Sequence, residues 1–108
     1  MSIGREGKGN EEVGIRILTL SDCDYCKWLK SELDEEGIAY VDIDAIKHDD
    51  FSTAIEHKFK ANTYPMVFVD LGPSIVTIVG ETNLETSDTL RTFDTIPHLL
   101  GIIKQYIK

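Results

Sequence analysis

The sequence predicts an α/β fold with a mixed four-stranded sheet, helices on both faces, and the element order β-α-β-α-β-β-α. Three observations predict it. Val13–Leu20, Met66–Val69 and Ile75–Val79 are short apolar runs with the β-branched content of strands. The long interval between the first two holds apolar residues at helical spacing. The last two runs are split by Asp70-Leu71-Gly72-Pro73-Ser74, whose Gly-Pro step marks a turn and makes the pair a hairpin.

Taken in order, Val13, Ile15 and Ile17 alternate, and Leu18 and Leu20 then make the second face apolar as well. A strand apolar on both faces is central. Ser21-Asp22-Cys23-Asp24 is polar and suits the start of a helix near the first cysteine. Cys26, Leu29 and Leu33 form its buried stripe, and Gly37 stands where a left-handed stop is wanted. Trp28 reads as a partly buried packing residue, with a place near a substrate groove as the alternative, and Asp34-Glu35-Glu36 as a solvated helix end. Ile38–Asp44 alternates, with Ala39, Val41 and Ile43 on one face, and predicts a second strand. Phe51, Ile55 and Phe59 line a second helix over residues 49–60, which Tyr64-Pro65 interrupts. The segment 81–94 is polar and longer than most connections, open to an extra helical turn or a partner-contacting loop. Thr95-Ile96-Pro97 opens the last helix, with Ile96, Leu100, Ile103 and Ile107 on one face.

The totals narrow the function classes. At 108 residues the chain has room for one domain, expected over 13–108 behind a flexible tail at 1–12. Acidic residues outnumber basic ones 19 to 11, for a net charge of −8. Nucleic acid and anionic membrane surfaces are therefore poor partners. No stretch has the apolar length to cross a bilayer, and residues 1–10 lack the apolar centre of a secretory signal. A cytoplasmic, monomeric protein is expected.

Cys23 and Cys26 form a C-x-x-C unit, which is a redox pair or half of a metal site. His48, His57 and His98 lie far apart, with no second ligand pair at short spacing, so no metal is expected. The position after the first strand, at a helix N-terminus, favours redox use. Unpaired amides and the helix dipole stabilise an anionic sulfur at Cys23, while Asp22 and Asp24 oppose it. Cys26, one turn on, is placed to attack a mixed disulfide formed on Cys23.

Cys23-Asp24-Tyr25-Cys26 resembles the Cys-Pro-Tyr-Cys of the glutaredoxin family, whose members have the thioredoxin fold. Glu35–Tyr40 is similar to the family's passage from first helix to second strand, and Thr63-Tyr64-Pro65 to its Thr-Val-Pro. The resemblance covers about residues 13–108. It implies a thiol–disulfide oxidoreductase with Cys23 and Cys26 catalytic and a cis Pro65. It also implies that Tyr25, Thr63, Tyr64, Pro65 and Gly80 bind substrate or glutathione. The family's lysine three residues before the first cysteine is Leu20 here, and its paired glycines after the last strand are reduced to Gly80. Both features help bind glutathione in the family. Expected partners are a disulfide-bearing protein or small thiol, with glutathione or a thioredoxin reductase as reductant and no bound cofactor. The competing reading is a thioredoxin-fold protein-binding module with little redox turnover.

Overall fold

The computed structural model describes residues 13–107, so the expected tail at 1–12 lies outside the described residues. Its elements are β1 (Gly14–Thr19), α1 (Asp24–Glu35), β2 (Val41–Asp44), α2 (Asp49–Phe59), β3 (Met66–Asp70), β4 (Ile75–Val79), β5 (Leu90–Thr92) and α3 (Ile96–Lys104). The strands form one mixed sheet in the order β2-β1-β3-β4-β5. This is a thioredoxin-like α/β fold with five strands, where the sequence reading expected four.

The two faces of β1 serve two cores. Ile15 and Ile17 sit opposite Val69 and Val67 of the antiparallel β3, and Val67 and Val69 in turn face Ile78 and Val76 of β4. These side chains share one buried cluster with Leu29 and Leu33 of α1 and with Ile96, Leu99, Leu100, Ile102 and Ile103 of α3. Leu18, Met66, Phe68 and Val79 point the other way, into a cluster closed by Ile55 and Phe59 of α2. Period-2 alternation in the strands thus divides the helices, with α1 and α3 on one face and α2 on the other.

Strand β2 pairs parallel to β1, with Ile17 opposite Asp42 and Leu18 opposite Ile43. It is shorter than the run 38–44 suggests, because it forms one edge of the sheet. Ile38 and Tyr40 approach it as partly buried residues of the α1/α3 core, and Val41, expected on a core face, is 56% exposed.

The unexpected strand is β5. Its Leu90 is buried in the α2-side cluster, and it pairs parallel to β4 with Ile78 opposite Arg91. The parallel register needs a connection that returns to the start of the sheet. Here residues 80–89 make it without a helix, fastened by Thr82 Oγ1 donating to the Phe59 carbonyl and Thr77 N–H to the Thr89 carbonyl. The segment 81–94 therefore holds a strand, Leu90–Thr92, and no extra helical turn, and the last strand ends at Thr92 rather than before Gly80.

Helix ends follow local chemistry. Gly37 has φ of 71°, the left-handed stop after α1. At α3, Thr95 caps the first turn through Oγ1, and Pro97 sits where its missing N–H costs nothing. Lys104 near the end of α3 holds Glu36 at 3.0 Å, which ties the acidic end of α1 to its neighbour. None of the described helices is long and apolar enough to cross a membrane.

Candidate active site

The chain leaves β1 at Thr19 and enters α1 at Asp24, so the turn between them carries Cys23 over the end of the central strands. Cys23 is itself the N-cap of α1: its backbone is extended, with φ −100° and ψ 111°, and its sulfur accepts a hydrogen bond from Cys26 N–H at 3.1 Å. The polar stretch around it does not supply the capping atom. Cys23 is half-buried, and its thiol donates to the Tyr64 carbonyl at 3.7 Å. The sulfur therefore lies between a helix N-terminus and the carbonyl that precedes Pro65.

Cys26 is fully buried, on the same buried side of α1 as Leu29 and Leu33. Burial, followed by the hydrogen bond to Cys23, pushes its thiol pKa up to about 12, although a Leu20 backbone contact and the Lys30 ammonium act the other way. Lys30 follows one turn later on the same helix face. Its Nζ is 2.5 Å from Asp42 Oδ2, and Thr19 Oγ1 donates to Asp42 Oδ1 at 2.5 Å. The bond to Asp42 raises the Lys30 pKa against partial burial. Burial opposes the Asp42 carboxylate, but Lys30 and Thr19 together hold its pKa below the usual carboxylate range. The two cysteines are thus unequal: one sulfur reaches solvent, and the other is shielded beside a fixed cation.

The Tyr64-Pro65 peptide is cis, as expected from the resemblance. Tyr64 is anchored from the opposite side by its hydroxyl, which donates to Glu56 Oε2 on α2 at 2.5 Å. Burial and the neighbouring Glu56 carboxylate move the Tyr64 phenol well above its ordinary pKa. Beside it, Gly80 comes so close to Thr63 that an added Cβ would stand 2.8 Å from Thr63 Oγ1. A groove of about 380 Å³ opens here, lined by Tyr25, Thr63, Tyr64 and Gly80 together with Glu81 and the stretch Phe93–Ile96.

The structure brings Tyr25, Thr63, Tyr64 and Gly80 together on the groove wall, while Pro65, next in the chain to Tyr64, is buried and does not line it. Gly80 lines the groove at the end of β4, while β5 delivers Phe93 and Asp94 to the same place. The sequence reading missed this second wall. Its signal was the Thr95-Ile96-Pro97 helix start, since a helix that follows a parallel strand opens at the same sheet end as α1. Trp28 is 43% exposed, stacked on the groove residue Tyr25 with ring centroids 6.4 Å apart, and its Nε1 donates to Glu32. Among the described residues no group of three His, Cys, Asp or Glu side chains is arranged to hold a metal.

No curated protein sequence matches the chain. Among solved structures it is similar to the solution structure of glutaredoxin from Brucella melitensis, with 29% identity and a TM-score of 0.48. That match covers 57% of this chain and 66% of the other, just under two thirds. The sequence profile described as Glutaredoxin matches residues 15–71, more than half of the chain, from β1 through the C-x-x-C and the cis-proline to the end of β3. By this profile match, which spans more than half of its length, the chain belongs to the glutaredoxin family.

Proposed function

We propose that the protein is a dithiol thiol–disulfide oxidoreductase that reduces protein or mixed disulfides through Cys23 and Cys26. The observation that carries this reading is the inequality of the cysteines. Cys23 is half-buried at a helix N-terminus, where negative charge is favoured, and Cys26 is sealed one turn below with its proton held tightly. A nucleophile must be reachable, whereas a resolving thiol needs only to reach the nucleophile's own sulfur.

The Cys23 thiolate attacks one sulfur of the substrate disulfide, whose S–S bond breaks, and the departing thiolate takes a proton from solvent. A mixed disulfide now joins Cys23 to the remaining half. Cys26 loses its proton and attacks the Cys23 sulfur, which forms the Cys23–Cys26 bond and releases the second substrate thiol. Two electrons have passed to the substrate, and an external thiol donor returns them. Once Cys23 is in the mixed disulfide its negative charge no longer raises the Cys26 pKa, and Lys30 supplies the opposing positive charge. Tyr25, Thr63, Tyr64 and Gly80 form the wall against which the substrate lies, and Pro65 sets the Tyr64 backbone beside Cys23.

The test is steady-state reduction of a mixed disulfide by the wild type, Cys23→Ser and Cys26→Ser, with glutathione and with a thioredoxin reductase as alternative donors. Turnover abolished in Cys23→Ser supports the reading and names the donor. Equal turnover in wild type and Cys23→Ser would exclude it.

A further inference from the structure

Among the described residues, the charged side chains that line the groove beside Cys23 are Glu81 and Asp94, both exposed, and no Lys or Arg lines it; Lys60 stands outside it, in the adjoining hollow that shares Glu81. Asp22 and Asp24, also exposed, flank the nucleophile on the other side. Lys27 lies one turn along α1 and is not part of the groove wall.

At the helix end that borders the groove, part of the amide set is already engaged or missing. A helix N-terminus ordinarily binds a carboxylate through its free amides. In α3, Pro97 has no N–H, His98 N–H is taken by Thr95 Oγ1 at 3.1 Å, and Leu99 N–H by the Thr95 carbonyl at 2.9 Å. His98 Nδ1 lies 2.8 Å from Asp94, but the Asp94 side chain remains 82% exposed at the groove mouth.

Tyr25, Tyr64, Phe93 and Ile96 give the rest of the wall an aromatic and apolar surface, between the neutral Thr63 and Thr95. Tyr25 continues outward over α1 into its stacked partner Trp28, with 61% and 43% of the two residues exposed. Aromatic faces of this kind attract lysine and arginine as well as apolar side chains. The groove holds about 380 Å³, and the exposed Tyr25–Trp28 pair extends an aromatic shelf beyond it, since Trp28 is outside the lining. That layout suits an extended polypeptide more than a compact tripeptide.

We infer that this site selects polypeptide disulfides whose cysteine is flanked by basic residues and discriminates against anionic thiols such as glutathione. The inference rests on the oxidoreductase reading and specifies its substrate. The chemistry is the exchange above: the substrate S–S bond breaks, the Cys23–Cys26 bond forms, and two thiols leave with two protons. The dithiol supplies both electrons, so one turnover needs no other reductant.

The experiment is single-turnover oxidation of the fully reduced protein by four disulfides. These are a peptide with lysines beside its cysteine, the same peptide with glutamates there, glutathione disulfide, and the neutral 2-hydroxyethyl disulfide. The lysine peptide is expected to react roughly tenfold faster than the glutamate peptide at low salt, a few screened charge pairs together, with the gap narrowing in high salt. Glu81→Lys should reduce the lysine-to-glutamate rate ratio by about threefold. Ratios within twofold of unity, or glutathione disulfide reacting faster than the lysine peptide, would overturn the inference while reaction of the neutral disulfide left the oxidoreductase reading standing. No reaction with the neutral disulfide would overturn both.

Discussion

The Cys26 backbone N–H donates to the Cys23 sulfur at 3.1 Å, so the proposed nucleophile is also the cap of α1. Chemistry and folding therefore meet on one atom. Serine keeps a capping oxygen at this position, whereas alanine leaves the amide unpaired. Cys23→Ser should stay close to wild type in stability, and Cys23→Ala should lose about 1 kcal/mol by urea denaturation. Both should be inactive in disulfide reduction, which separates the cap from the chemistry.

The inequality of the thiols is open to alkylation. With its pKa pushed up to about 12, Cys26 remains a neutral thiol near neutrality. At pH 7 only about one Cys26 in 10⁵ is thiolate by the ordinary titration relation. Limited iodoacetamide treatment followed by peptide mass mapping should label Cys23 first, with Cys26 unmodified. In Cys23→Ser the Cys26 rate should still be rising about tenfold per pH unit at pH 9, because burial, the largest cause, persists.

Lys30 presents a further measurable consequence. Its ammonium is held by Asp42 at 2.5 Å and favours ionisation of Cys26. Lys30→Met should slow resolution of the mixed disulfide by about threefold while leaving its formation on Cys23 less affected. Rapid quench separates the two steps. The ion pair is partly solvent-screened, so the stability cost should be only about 0.5–1 kcal/mol. The Asp42 contribution is present above the ordinary carboxylate value of 3.8 and is lost as pH falls through its lower folded-state value.

Tyr64 and Glu56 give a pH signature at the alkaline end. The phenol is raised above its ordinary 10.0, so the fold favours the protonated ring. That stability is fully present below pH 10 and is lost as pH rises toward the higher folded-state value. Tyr64→Phe should cost about 1 kcal/mol at pH 7, a hydrogen bond to a carboxylate discounted for partial exposure. Its deficit against wild type should shrink above pH 10, as measured by denaturation at a series of pH values.

Gly80 and Thr63 should prove coupled. A Cβ at position 80 would meet Thr63 Oγ1 at 2.8 Å and force that hydroxyl from its rotamer. Gly80→Ala is expected to cost about 1 kcal/mol, most of it recovered when Thr63→Ala is added. A double-mutant cycle on stability reads the coupling, and the same pair should lower the KM penalty of Gly80→Ala.

Much of the fold could be read directly because its signals are local. The hairpin turn at Gly72-Pro73, the stripe Cys26-Leu29-Leu33 and the C-x-x-C after β1 each declare themselves within a few residues. Strand β5 does not. Three residues cannot display alternation, and of them only Leu90 is buried, so its place depends on pairing with β4 across a long connection. The second wall of the groove was hidden for the same reason, since Phe93 and Asp94 reach it through β5. Trp28 lies roughly 200° around the helix from Cys26, so it packs on Tyr25 rather than in the core.

The most direct measurement is trapping. Reduced Cys26→Ser protein is mixed with a peptide disulfide and analysed by intact mass, alongside Cys23→Ser and wild type. The account predicts a stoichiometric peptide adduct on Cys23 in Cys26→Ser, none in Cys23→Ser, and only the two-electron-oxidised Cys23–Cys26 form in wild type. An adduct on Cys26 in Cys23→Ser, formed as fast as that on Cys23, would contradict it.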